Sequence, residues 1–207
     1  MKTAVAKSLF KSHDYHEFRK LISDLLLEGK STGNEQSESH TRISGLNDAR
    51  MDMLDKTITI SEENIAKLKS LKKKYIWLVL AEGWCADSSQ ILPVLNKMAH
   101  ESGKIDLKIV LPEENEDLMD LFLTDDVRKI PKVIVVDKES GDVYGSWGPM
   151  PKGVSDLIRS YKEKNGCIDE AAKADLQTWY MKDKGISTQN ELIGLMLEQE
   201  QLHLLEE

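Results

Sequence analysis

An apolar run of seven residues, Tyr75 to Ala81, is followed by a helical pattern and then by a second strand-like run at 105 to 111. Two extended segments separated by a helix predict a parallel βαβ unit, because a tight turn can join only antiparallel strands. Within that helix Ile91, Leu92, Leu95 and Met98 form the buried stripe. Pro93 lies among them, and its missing N–H predicts a kink costing about 3 kcal/mol. The junction between the first strand and the helix reads Trp84-Cys85-Ala86-Asp87-Ser88. A cysteine at a helix amino end is a candidate reactive thiol, since free backbone N–H groups and the positive end of the helix dipole favour the thiolate. The opposing reading is a small core hydrophobe, because free cysteine is among the most buried residue types.

Further along, Lys132 to Val136 and Val143 to Ser146 flank Gly141 closely enough to predict an antiparallel hairpin. Pro112 is expected to open a helix with Glu113, Glu114, Glu116 and Asp117 in its first turn and an apolar face of Leu118, Leu121 and Phe122. Ahead of the βαβ unit the periodicity predicts a helix over 14–28, with Asp14 as cap and Gly29 as stop. A less regular helix runs through Ile43, Leu46, Met53 and Leu54, and a third is capped by Ser61, with Ile60 stapled on Ile65. Residues 30–42 hold no large apolar side chain and read as a mobile loop or a ligand-facing segment. After Pro149 and Pro151 the pattern is helical to the end. The last helix, with Leu192, Met196 and Leu202, has two destinations: this domain, or another chain in a homodimer built through terminal helices. The expected division is a helical extension over 1–57, an α/β domain over 58–165 and a second helical extension over 166–207.

With 207 residues and 40% hydrophobic content the chain can bury one sizeable core with additions. A net charge of -8 disfavours nucleic acid or an anionic membrane as partner. No apolar run approaches the ~20 residues that span a bilayer. Lys7 and Lys11 interrupt any signal-peptide core, so a soluble cytoplasmic protein is expected. Cys85 and Cys167 make no secreted disulfide framework. His13 and His16 lack further spaced ligands, there is no glycine-rich phosphate loop, and neither a metal nor a cofactor is called for.

Three motifs in one order resemble the thioredoxin superfamily: Trp84-Cys85 at the place of its Trp-Cys-x-x-Cys, Pro93 eight positions later, and Val127-Arg128-Lys129-Ile130-Pro131 at its cis-proline segment. Trp-Cys-x-Asp followed by serine, with Trp147-Gly148-Pro149-Met150-Pro151, is similar to a bacterial thioredoxin-like branch. The resemblance covers roughly 58–165 and implies a thioredoxin-like α/β fold, a parallel βαβ unit plus an antiparallel hairpin flanked by helices. It implies a cis peptide between Ile130 and Pro131, opposite Cys85, and a groove for an extended peptide along Trp84, Ala86, Asp87, Ile130 and Pro131.

The sequence departs from the family twice. Ser88 replaces the second redox cysteine, and Tyr75 to Ala81 carries no counterpart of the buried acid. Serine can hydrogen-bond a thiolate but cannot resolve a mixed disulfide. The resulting expectation is monothiol thiol–disulfide exchange by Cys85, helped by Ser88 and with a depressed thiol pKa, acting on a protein disulfide or a small thiol such as glutathione. Cys167 is the internal candidate for resolution, though an incidental cysteine is the stronger expectation. Glu82 is a candidate proton acceptor, against a favoured solvated surface position. Asp87 either raises the thiol pKa or caps the helix, with capping favoured, and Trp84 and Trp147 are candidates for an aromatic wall round the sulfur. The alternative is a module that binds an extended peptide or a protein without catalysis.

Overall fold

A computed structural model describes residues 1–204. Four strands form one sheet: β1 (Tyr75–Leu80), β2 (Ile105–Val110), β3 (Lys132–Asp137) and β4 (Val143–Trp147), in the order β2-β1-β3-β4. β1 and β2 are parallel, with Tyr75 opposite Ile105, and β3 is antiparallel to both β1 and β4. The helix α5, Ala86–Ser102, makes the crossover from β1 to β2 and runs through Pro93. These strands alternate their side chains between two apolar layers, as a two-residue period demands. Trp77 and Val79 face the layer of α5, whereas Leu78 and Leu80 face the opposite one.

The amino-terminal helices serve both layers. Helix α1 (Lys2–Leu9) places Val5 with Leu118, Met119 and Phe122 on one face of the sheet. Helix α2 (Tyr15–Leu27) and helix α3 (Glu38–Thr57) bring Phe18, Ile22 and Met51 into the other layer. Asp14 caps α2 in a reciprocal capping box with Glu17. His13, just ahead of it, exchanges two backbone hydrogen bonds of 2.8 Å with Ile109 on β2, covering that edge of the sheet. Arg19 then ties α2 to α3 by pairing with Asp48, Asp52 and Asp55 at 2.5–2.9 Å. Helix α4 (Glu62–Ser70) is capped by Ser61 as expected.

Two sequence expectations change here. The segment 30–42 is not a bare loop: Ser31 and Thr32 are buried, and α3 already begins at Glu38. The segment is ordered by polar bonds rather than apolar burial, Gln36 accepting from Ser31 N and donating to the Ser31 and Gly33 carbonyls. The helix expected after Pro112 breaks into a 3₁₀ turn, Pro112–Glu114, and a short α6, Glu116–Met119. Phe122 packs beyond its end and Leu121 is exposed, so the anticipated apolar face is only partly realised.

The carboxyl-terminal part comprises α7 (Lys152–Asn165), α8 (Glu170–Asp183) and α9 (Ile186–Leu204). Helix α9 docks on this chain, burying Leu192, Ile193 and Met196 in the same layer as Trp77 and α5. Among the described residues no helix is long and apolar enough to cross a membrane.

Candidate functional site

The end of β1 delivers Glu82-Gly83-Trp84 into a tight turn, in which Cys85 N donates to the Glu82 carbonyl at 3.2 Å. The amino-terminal elements grip this turn from both sides. Gly83 N donates to Thr32 Oγ1 at 2.8 Å, and Asn47 Nδ2 donates to the Gly83 carbonyl at 2.9 Å. Cys85 is thereby fixed as the N-cap of α5, its Sγ accepting the Ser88 backbone N–H at 3.5 Å. On its other side the thiol donates to the Ile130 carbonyl at 3.6 Å. The peptide joining Ile130 to Pro131 is cis, as is that joining Gly148 to Pro149. The structure therefore brings Cys85, Ser88, Ile130 and Pro131 together.

The state of the thiol differs from the expectation of a depressed pKa. Cys85 is only 8% exposed, and burial pushes its pKa up. The Ser88 hydroxyl and backbone N–H work against that rise, while the charge of Asp87 adds to it. The serine hydroxyl makes no bond of good geometry to any group, so its proton can turn toward Sγ. The helix amino end favours a thiolate here, but loss of solvent outweighs it and favours the neutral S–H, the form that donates to Ile130.

Asp87 does not cap the helix, because the cap position is held by Cys85 itself. Its carboxylate instead accepts the Tyr180 hydroxyl of α8 at 2.7 Å. Burial raises the Asp87 pKa, while Tyr180 and the charge of Arg50 pull it down. Replacing Asp87 by Asn keeps an oxygen for Tyr180 and removes the charge beside the sulfur. Alkylation of Cys85 at pH 7.5 should then speed up about threefold, the size of a modest through-space charge effect. An unchanged or slower rate, read by mass spectrometry of the modified peptide, would show that Asp87 does not act on the thiol.

Glu82 departs furthest from its expected place. It is 2% exposed rather than solvated, with Oε2 lacking any hydrogen-bond partner. Burial raises its pKa to about 7, opposed by Thr32 and reinforced by the charges of Glu113 and Glu114. Both carboxylate oxygens lie within 3.6 Å of where a Cβ on Gly33 would stand, beside Nε1 of Trp84. The carboxylate thus faces the 30–36 segment.

The expected aromatic wall is divided. Trp84 is half-buried and stacks on His40 of α3, with ring centres 4.8 Å apart and planes 7° from parallel. Trp147 donates through Nε1 to Glu191 of α9 at 2.7 Å and so joins β4 to the last helix. Ala86 is exposed at the first turn of α5 and Ile130 is half-buried opposite, which leaves a strip of surface beside the sulfur. Cys167 is exposed beyond the end of α7.

Thr32, His40, Asn47, Arg50 and Tyr180 belong to the surroundings of the site and were not among the residues the sequence pointed to. Asn47 and Arg50 sit three residues apart on α3, one face of a helix, and both reach Ser89 on α5. That spacing was the available clue. Tyr180 had none. Among the described residues no cluster of three or more His, Cys, Asp or Glu could hold a metal ion.

The thioredoxin family model matches residues 33–164. No curated protein sequence matches the chain. Among solved structures, the chain is similar to a crystal structure of a protein of unknown function from Pseudomonas aeruginosa, with TM-score 0.57, 17% identity, and 90% of this chain and 98% of that one covered. It is also similar to a crystal structure of an HIV epitope scaffold, with TM-score 0.53, 18% identity and coverage of 90% and 99%. At such identities the likeness is one of fold. The match takes in α3 with Asn47, which holds the Gly83 carbonyl, but it begins one residue after Thr32 and ends before α8 and Tyr180.

Proposed function

Because the chain belongs to the thioredoxin family, we propose that Cys85 is the attacking sulfur of a monothiol thiol–disulfide exchange whose thiol is protonated at rest. The observation that carries this reading is the position of Sγ between the Ser88 N–H and the Ile130 carbonyl, at a helix start opposite Pro131. Once the S–H proton leaves, the same Ser88 N–H, and the Ser88 hydroxyl turned toward it, stabilise the thiolate. The thiolate attacks one sulfur of a disulfide, the new S–S bond forms to Cys85, and the other sulfur departs as a thiolate that takes up a proton. Ser88 cannot break the mixed disulfide, so a second thiol such as glutathione must attack it and return Cys85 to its reduced state. A reducing cytoplasmic setting supplies such a thiol. The exposed strip along Ala86 and Ile130 is the proposed seat of an extended disulfide-bearing peptide.

Incubation with glutathione disulfide at pH 9 should produce an adduct at Cys85 that persists until a free thiol is added, and Cys85→Ala protein should lack it. Adduct formation at Cys167 alone would remove Cys85 from the reaction. The burial of the sulfur favours a second reading, a peptide-binding module without catalysis. On that reading Cys85→Ser protein would bind its peptide unchanged, and Cys85 would form no adduct at any pH.

A further inference from the structure

Beside the site helix a cavity of about 530 Å³ lies between α3, α5 and α8. Its size is that of a small-molecule pocket. Leu54, Ile58 and Met181 give it apolar walls, and Arg50, Gln90 and Tyr180 contribute the polar groups nearest the site helix. Lys184 stands at its rim. In a chain with 36 acidic against 28 basic residues, these walls hold two cations and no carboxylate.

Arg50 is the informative residue. One of its nitrogens donates to Asn47 Oδ1 at 2.7 Å and to Ser89 Oγ at 2.9 Å, both neutral acceptors. Its guanidinium is half-buried and forms no ion pair among the described residues. The acid that reaches it by charge alone is Asp87, which is already engaged by Tyr180. A partly desolvated guanidinium with unused donors, oriented by two side chains, is a fork suited to a carboxylate. Leaving such a cation unpaired costs free energy that an incoming anion would recover.

From this cavity we infer that the protein binds a small organic acid, an apolar aliphatic body carrying one carboxylate, with the carboxylate on Arg50 and the body against Leu54, Ile58 and Met181. Flexible methionine and branched aliphatic walls suit a chain more than a rigid ring. The site stands apart from Cys85 and does not require the exchange chemistry, but Tyr180 lines the cavity and holds Asp87, so an occupant would also bear on the sulfur.

The test uses decanoate below its micelle-forming concentration, titrated calorimetrically into the full chain and into Cys85→Ala protein. One molecule per chain is expected to bind both equally, at least tenfold more tightly than decanol, which has the chain but no charge. Arg50→Gln should weaken decanoate at least tenfold and leave decanol unchanged, and Arg50→Lys should recover part of the loss. If Arg50→Gln fails to fold, Lys184→Glu, at an exposed position, should weaken decanoate at least fivefold. Equal affinity for decanoate and decanol, indifference to the charge changes, or no binding would each overturn the inference.

Discussion

Glu82→Gln protein is expected to be more stable than the natural protein by about 3 kcal/mol at pH 8 and no more stable at pH 4. The carboxyl of Glu82 titrates near 7 in the fold against an ordinary 4.5, with burial the leading cause. A group whose folded pKa is raised holds its proton in the native state while the unfolded chain has lost it. Stability is therefore full below about pH 4.5, falls as pH rises toward 7, and is level above that. At about 1.4 kcal/mol for each pH unit, a displacement from 4.5 to about 7 costs about 3.5 kcal/mol once pH is above both values. Glutamine has no charge to desolvate, so the difference between the two urea-denaturation curves should open across this interval and stay open above it. A difference that is constant from pH 4 to pH 8 would show that Glu82 does not titrate in the fold as the geometry requires.

The second large effect is expected at Gly148, where β4 leaves the sheet toward Pro149. Its φ of +116° suits glycine alone, and a Cβ there would lie 2.3 Å from the Pro131 carbonyl oxygen. That oxygen is backbone and cannot swing aside as a side chain would, so Gly148→Ala must displace the segment that places Ile130 beside the sulfur. The expected cost is about 3 kcal/mol, from a backbone conformation closed to alanine together with a forced shift. Gly141→Ala is the matched control, since it also has a positive φ, +71°, but no atom within 4 Å of the new Cβ. It should lose only about 1 kcal/mol. Equal losses at the two positions, measured by urea denaturation, would mean that the contact with Pro131 is not tight.

What could be read from the chain and what could not divide along a physical line. The strands, the hairpin, the Asp14 cap of α2 and the placement of Cys85 at the start of α5 are local: each rests on a few adjacent residues whose period or capping chemistry has one good solution. The motifs from Trp84 to Pro131 likewise announced the fold. The burial of Glu82 was not legible, because it depends on Thr32 and Gly33 closing over the turn some 50 positions away in sequence. Segment 30–42 misleads for the same reason, being held by Gln36 and Thr32 through polar bonds that hydrophobic patterning does not register. Nor could the pKa of Cys85 be foreseen. The helix start was visible, but the loss of solvent comes from tertiary packing, and Asp87 is committed to Tyr180 on a helix 93 residues away.

The proposed exchange requires Cys85 to be a thiol that is neutral at rest yet able to attack. Alkylation of the native protein by iodoacetamide across pH 6–11, with each cysteine peptide followed by mass spectrometry, tests this directly. The exposed Cys167 should react first at neutral pH, and Cys85 should be slow there but accelerate to completion with a midpoint above the ordinary thiol value of ~8.5. A midpoint well below that value would contradict the protonated resting state, and a Cys85 that stays unmodified until the protein unfolds would contradict its role as a nucleophile.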